Sequence, residues 1–534
     1  MAVIIKPPVP ANTEILKYER TEVEKDFYIC KNNWLRKNNN GLWEMYVEGG
    51  PFERGVMNGV LTKELIYEQE KAFVTQIKKM IPSEFYLNFL KYIVAWFARD
   101  IDEHVDKEYL LEILGVSYAT SSEFEFIGPA YQRILNYHAA HDIGHALQNM
   151  NMVGCTSFAS WGSAAEDSSF IVGRNFDFYA GDEFAENKIV CFYKPDKGNK
   201  FMFVTWGGMI GVVSGMNEKG LTVTINAAKS DIPFGFKTPI SIIAREILQY
   251  ASNIDEAYKI AKSRESFVSE SLLIGSAQDK KAVIIEKSIN STDMFSTEND
   301  YIICANHFQG DTFKNENLNI ENIKNSASMY RYKRVAQLLA KYSKLNYFGA
   351  AEILRDQKGI DEKNIGMGNE KAVNQLIAHH SVIFDPVKLY AWVSSNPYQL
   401  GEYVGYDLKK IFDSCPGMKQ NNEISVQELM IPEDTFLYSE NYKKFILYKK
   451  IRDEILNNMD CDDCGDIDEA TITKLIASNP RYYFVYALSG NYYLKHENYN
   501  KAVEYYKEAL SKEIPTAGEI NKIMNSLIEC YENM

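Results

Sequence analysis

The residues with the clearest chemical potential sit at one junction. In NMVGCTSFASWG, the small residue Gly154 stands directly before Cys155, where helical text gives way to strand text. A cut after Gly154 would convert the Cys155 amide into a free amine. That suits a nucleophile that supplies its own base. A thiol is only a few per cent ionised near neutral pH, whereas an α-amine, with an intrinsic pKa of about 7.7, can accept and return a proton there. Until the bond is cut the nitrogen is an amide and cannot do this, so processing is predicted to be the activation step. Read without its surroundings, Cys155 would be a buried core cysteine.

Other chemistry-bearing clusters compete with this junction. In YHAAHDIGHAL, His141 and His145 stand four apart and would share a helix face, the spacing of a metal pair. Asp142 occupies the position where a zinc protease carries glutamate, and Gly144 interrupts the turn, so buried hydrogen-bonding histidines are the preferred reading. In CDDCGD, Cys461 and Cys464 have ligand spacing but no second pair to complete a tetrahedral site. The His379–His380 pair reads as structural. No phosphate-cradling loop, dinucleotide fingerprint or Ser-centred nucleophile elbow is present in the sequence. No cofactor and no metal are therefore predicted.

These residues must be positioned by two kinds of element. Residues 1 to about 154 read as mostly helical after an extended, proline-bearing lead, with LTKELIYEQEKAFVTQIKKMI and FYLNFLKYIVAWFARDI as the strongest helices. Gly55 and Gly59 stand four apart near a helix start, where they allow close backbone packing. From Cys155 the pattern becomes short β-rich runs, among them FIVGRNFDF, KIVCFYK, KFMFVTW and LTVTINAA. Two helices follow at TPISIIAREILQYA and NIDEAYKIAKS. Strands return at SLLIGSAQD, KAVIIEKS and YIICANHF, and more sheet follows a helix at SASMYRYKRVAQLLAKYS. The order lacks the regular βαβ alternation of a doubly wound fold and suits a layered arrangement.

In this order, the Gly-Cys junction, GRNFDF, NEKGL and NHF resemble the penicillin acyltransferase family of cysteine N-terminal-nucleophile hydrolases (peptidase C45 type), relatives of the bile-salt hydrolase and acid ceramidase groups. The resemblance runs from PFERGVMNG to about Asp407. It implies a four-layer αββα fold, α+β in class, and an amide hydrolase or acyltransferase working through a thioester at Cys155. It also implies roles residue by residue. Asp177 would anchor the new α-amine, and Arg174 would hold the charge network beside the thiolate. Asn226 would donate to the oxyanion, and Asn306 would orient the amine or scissile amide. Arg331 is the nearest match to a late family arginine, with Arg334 three residues on as the alternative. Each could instead be structural.

The predicted organisation is thus a helical segment 1–154 retained after self-cleavage, a catalytic domain 155–430, and a helical domain 431–534. The last contains a tetratricopeptide-like hairpin with matches at Gly490, Tyr493, Ala502, Tyr506 and Ala509. One such repeat favours packing over a peptide groove. A net charge of −14 argues against nucleic acid, because phosphate binding needs a basic field. No apolar run is long enough to span a bilayer. The expected partner is a small-molecule amide, including lipidic ones, and a homo-oligomer is left open. The opening MAVIIKPPVPANTEILKYER lacks the features of an export signal. The compartment reads as cytoplasmic, or as secreted or periplasmic had a leader been removed. A retired enzyme serving as a scaffold through its C-terminal helices, and a metal peptidase built on His141 and His145, are the rival readings.

Overall fold

The computed structural model describes residues 5–80, 83, 92, 98–139, 142, 154–178, 181–229, 237–461 and 465–534. His141, His145, Cys464 and most of FYLNFLKYIVAWFARDI lie outside the described residues.

Two sheets form the centre. The larger one contains β1 (Thr21–Glu24), β2 (Phe27–Cys30), β3 (Asn33–Lys37), β4 (Trp43–Gly49), β7 (Ile189–Pro195), β8 (Phe201–Thr205), β9 (Ser214–Asn217), β10 (Leu221–Ala227), β11 (Glu270–Ser276), β12 (Lys281–Lys287) and β13 (Thr292–Phe295), in that spatial order. The smaller one contains β14 (Tyr301–Cys304), β5 (Thr156–Ser160), β6 (Ile171–Phe176), β15 (His380–Asp385), β16 (Tyr390–Ser394) and β17 (Tyr403–Asp407). Among the described ladders all are antiparallel except β4 with β7.

Alternation along the strands separates four layers, because successive side chains point to opposite faces. On β4, Tyr46 joins Phe192, Met202, Val382 and Phe384 in the core between the sheets. Its neighbours Met45 and Val47 face the other way and pack with Met57 and Leu61 of the helix Pro51–Met80. On β15, Ile383 turns outward to Val335 and Leu338 of the helix Ser328–Leu339. Strands covered on both sides need apolar residues at every position. This explains why β7 and β8 read as nearly unbroken apolar runs. The expected αββα layering is what the chain adopts.

The extended lead turns out to be a four-stranded meander that enlarges one sheet. The parallel ladder of Trp43–Gly49 with Ile189–Pro195 ties residues preceding the Gly154–Cys155 bond to residues following it. The helix Pro51–Met80 then crosses the helix Lys107–Ser117 at the two glycines. A Cβ on Gly55 would overlap the Glu112 carbonyl, and one on Gly59 would lie 3.0 Å from Ala119 Cβ. The close approach lets Glu112 meet both Arg54 (2.8 Å) and Arg245 (3.2 Å) in a buried ion triad.

The carboxyl end carries the helices Glu440–Met459, Glu469–Ser478, Tyr483–Lys495, Tyr499–Leu510 and Ala517–Glu532. Gly490 lies against the Tyr506 ring, 2.6 Å from where its Cβ would be. No helix among the described residues is long and apolar enough to cross a membrane.

Replacing Gly55 by Ala forces the two N-terminal helices apart and strains the triad beneath them. A loss of about 3 kcal/mol is expected, the upper range for overpacking, read as a lowered midpoint in equilibrium denaturation.

Candidate active site

Antiparallel pairing of β5 with β6 puts the start of one strand beside the end of the other. Thr156 pairs with Asn175 and Ser157 with Arg174. Cys155, just before β5, therefore neighbours Asp177, just after β6, and Gly154 N–H donates to the Asp177 carbonyl at 2.9 Å. On the other side of β5, Ser157 pairs with Cys304 of β14, which brings Asn306 to the same end of the sheet.

Polar side chains lace this end of the smaller sheet to β10 of the larger one. Asn226 Nδ2 donates to the Cys304 carbonyl at 3.0 Å, and its Oδ1 accepts from Ser157 at 2.9 Å. Asn306 Nδ2 reaches back to the Ala227 carbonyl at 2.9 Å. Arg174 Nη2 donates to the Ile225 carbonyl at 2.6 Å and lies 3.5 Å from Cys155 Sγ. Its Nη1 donates to Ser214, which also contacts His380 Nε2 at 2.9 Å. His379 and His380 meet through their Nδ1 atoms at 2.8 Å. Burial depresses the basicity of both rings, so they serve as neutral spacers behind Arg174.

Cys155 is fully buried. Burial pushes its thiol up to about 11, against the pull of the Arg174 guanidinium. Burial likewise raises Asp177 to about 7, against Arg331 and then Arg174. The thiol thus holds its proton at neutral pH, whereas the carboxyl is poised to take or give one.

Arg331 extends from the helix Ser328–Leu339 to the junction. Its Nη1 lies 2.7 Å from Gly154 O, 2.6 Å from Cys155 O and 2.7 Å from Thr156 Oγ1, while Nη2 donates to Asn306 Oδ1 at 2.7 Å. Arg334 faces elsewhere, pairing with Asp356 at 2.8 Å and Glu362 at 2.9 Å. The fold thereby brings Gly154, Cys155, Arg174, Asp177, Asn226, Asn306 and Arg331 together and leaves Arg334 out. It adds residues that the sequence reading missed: Ser157, Ser214 and Gln375. Gln375 Nε2 donates to Gly154 O at 2.8 Å and lies 3.3 Å from Asp177 Oδ2. Nothing in VNQLIAHH marks that glutamine, because only tertiary folding carries it to the junction.

A small apolar cleft opens near this cluster, lined by Ile66, Phe73, Ile134, Phe178, Phe184 and Trp206, among others. The Phe176 ring lies 4.3 Å from the Arg174 guanidinium and stacks on Phe178 and Trp206, so one ring separates the cleft wall from the arginine. Among the described residues no group of three or more His, Cys, Asp or Glu side chains is arranged to hold a metal.

Arg331→Met would strip the donor from four buried acceptors at the junction. The expected cost is about 3 kcal/mol, as for breaking one side of a buried polar cluster, and denaturant titration of the purified variant would measure it.

Residues 163–397 match the family model described as acyl-coenzyme A:6-aminopenicillanic acid acyl-transferase, a span that begins after Cys155. An uncharacterized protein of Archaeoglobus fulgidus is 22% identical over 66% of this chain and 63% of its own length. Protein dcd1B of Dictyostelium discoideum is 21% identical over 48% of this chain and 52% of its own. The chain thus spans between half and two thirds of these curated relatives. Among solved structures, a Caenorhabditis elegans ortholog of N-acylethanolamine-hydrolyzing acid amidase aligns at 17% identity over 44% of this chain and 93% of its own, with a TM-score of 0.33. A mutant conjugated bile acid hydrolase from Clostridium perfringens aligns at 13% identity over 52% and 99%, with a TM-score of 0.34. The family match falls on part of the two-sheet core with its flanking helices, and over that span the chain is similar to the acyl-coenzyme A:6-aminopenicillanic acid acyl-transferases.

Proposed function

We propose that this protein is a self-processing cysteine amidohydrolase or acyltransferase, which cleaves a non-peptide or small-peptide amide through a thioester at Cys155. The observation that carries the reading is the environment of the Cys155 sulfur. It sits beside a buried guanidinium and near a carboxyl raised to about 7, on the residue that follows a held peptide carbonyl.

Processing comes first. Cys155 Sγ adds to the Gly154 carbonyl carbon as its proton leaves, with Asp177 as the nearby acceptor. The C–N bond then breaks, the Cys155 nitrogen gains a proton, and residues 1–154 are held on sulfur as a thioester. Water adds to that thioester and expels the thiolate, leaving a carboxylate on Gly154 and a free amine on Cys155. From then on the amine takes the sulfur proton when a substrate amide is attacked and returns it to the departing amine. Arg174 favours the thiolate. Asn226 and Asn306 each use one amide hydrogen on a carbonyl across the sheets, and an NH2 group has two. The remaining hydrogens are available to a substrate oxyanion, where a preorganised donor has its largest effect.

The acyl thioester can be resolved by water or by a second amine, so hydrolysis and transfer share this machinery. The apolar lining of the cleft, in Ile66, Phe73, Ile134, Phe178, Phe184 and Trp206, supports an apolar acyl group. The β4–β7 ladder supports retention of residues 1–154 as a separate chain after the cut. Packing is the role we assign to the tetratricopeptide-like hairpin.

Intact-mass measurement tests the reading: wild type should resolve into residues 1–154 and 155–534, whereas Cys155→Ala should remain one chain. The two fragments should elute together in size exclusion and part only in denaturant. Active wild-type protein that retains the uncut bond would refute the mechanism. A second expectation concerns pH. Asp177 accepts a proton only when ionised, so precursor conversion should accelerate as pH rises through about 7 and slow below it. Arg331 and Arg174 are the charges facing it, and His380 stays neutral. Asp177→Asn should lose that rise in a pH series of conversion rates.

A further inference from the structure

The loop that delivers Gln375 is built unlike the strand ends around it. It runs from about residue 363 to 376, and the C-terminal helices hold it at several points. Asn479, at the end of the helix Glu469–Ser478, accepts from Met367 N–H at 3.1 Å and donates to the Met367 carbonyl at 2.8 Å. Gly366 adopts a left-handed φ of +86° with Tyr482 pressed against it, so that an added Cβ would lie 2.5 Å from Tyr482 Cα. Asn369 Nδ2 donates to the Glu513 carbonyl at 2.9 Å, and Lys371 pairs with the Glu513 carboxylate at 2.7 Å. Leu376, next to Gln375, is part of the C-terminal helical core together with Tyr448 and Tyr482. The helices therefore fix the backbone on either side of a side chain aimed at Gly154 O.

That oxygen has two side-chain donors, Arg331 Nη1 at 2.7 Å and Gln375 Nε2 at 2.8 Å. Paired donors on a carbonyl oxygen are what its conversion to an oxyanion requires. From these contacts we infer that Gln375 and Arg331 form the oxyanion-binding pair of the self-cleavage step, and that the C-terminal helices position Gln375 for it. The inference rests on the self-processing reading above and adds its electrophilic half. When sulfur adds to the Gly154 carbon, the carbonyl π pair moves onto the oxygen held by these donors. It returns when the C–N bond breaks. Gln375 is a catalytic residue for this step because it touches the reacting oxygen, whereas Asn479 is a positioning residue.

The test follows precursor conversion in the full-length chain by intact mass. Gln375→Ala should slow the first-order rate about 10²- to 10³-fold, the usual effect of losing one oxyanion donor. Gln375→Glu keeps the shape and guards against misfolding as the explanation. Ionised, it offers no donor; protonated, its O–H can replace the lost N–H. Its rate relative to wild type at the same pH should therefore rise as pH falls, with Asp177, Arg331 and Cys155 as the groups facing it. A side chain needed only for packing would give a flat ratio. Asn479→Ala should slow conversion several-fold in wild type and add nothing to Gln375→Ala, since both act on one contact. If wild type converts and Gln375→Ala keeps pace, or if the Gln375→Glu ratio does not change with pH, the inference is wrong. If wild type never converts, the self-processing reading itself fails.

Discussion

Everything at the candidate site depends on stitching two sheets together where their shared apolar core ends. Facing sheets have no ladder between them, and hydrophobic contact alone sets no fixed polar geometry. Here Asn226, Asn306 and Arg174 supply direct bonds across the gap, each using a backbone carbonyl on one partner strand or its continuation. Buried donors and acceptors that satisfy one another make such a network costly to perturb and geometrically defined. Cys155 inherits its position from that network. Its sulfur needs no dedicated arm or loop, because the strand it begins is already pinned on both sides.

Charge follows from the same enclosure. Two arginines, a thiol and an aspartate are shut away from water within one cluster, and burial opposes every ionised form. The guanidiniums stay compatible with this only by donating to several carbonyls at once, as Arg331 does with Gly154 and Cys155. Lysine, a point charge without a planar fork, could not distribute its donors in that way. A histidine base would itself be neutralised here, as His379 and His380 are.

Much of this was legible in the sequence where the chemistry is local. The strand runs from TSFAS to YVGYD and the glycines at 55 and 59 carry short-range signals that the fold respects. The meander at Thr21–Gly49 was legible only as extended chain, because its pairing with Ile189–Pro195 spans well over a hundred residues and leaves no periodic mark. Gln375 was invisible for the same reason: its neighbours in sequence carry no signal, its partners are Gly154 and Asp177, and the loop that delivers it is held by the C-terminal helices. Arg331 and Arg334, indistinguishable in the text SASMYRYKRV, are told apart by three residues of helical rotation that turn one inward and the other toward Asp356.

The enclosure of Cys155 also governs how the molecule ages. Peroxides and electrophiles attack thiolates that they can reach, and a sulfur that is wholly buried and protonated is neither ionised nor exposed. A thiol so enclosed is chemically durable, and susceptibility to oxidation begins only once the surroundings of that one sulfur are opened.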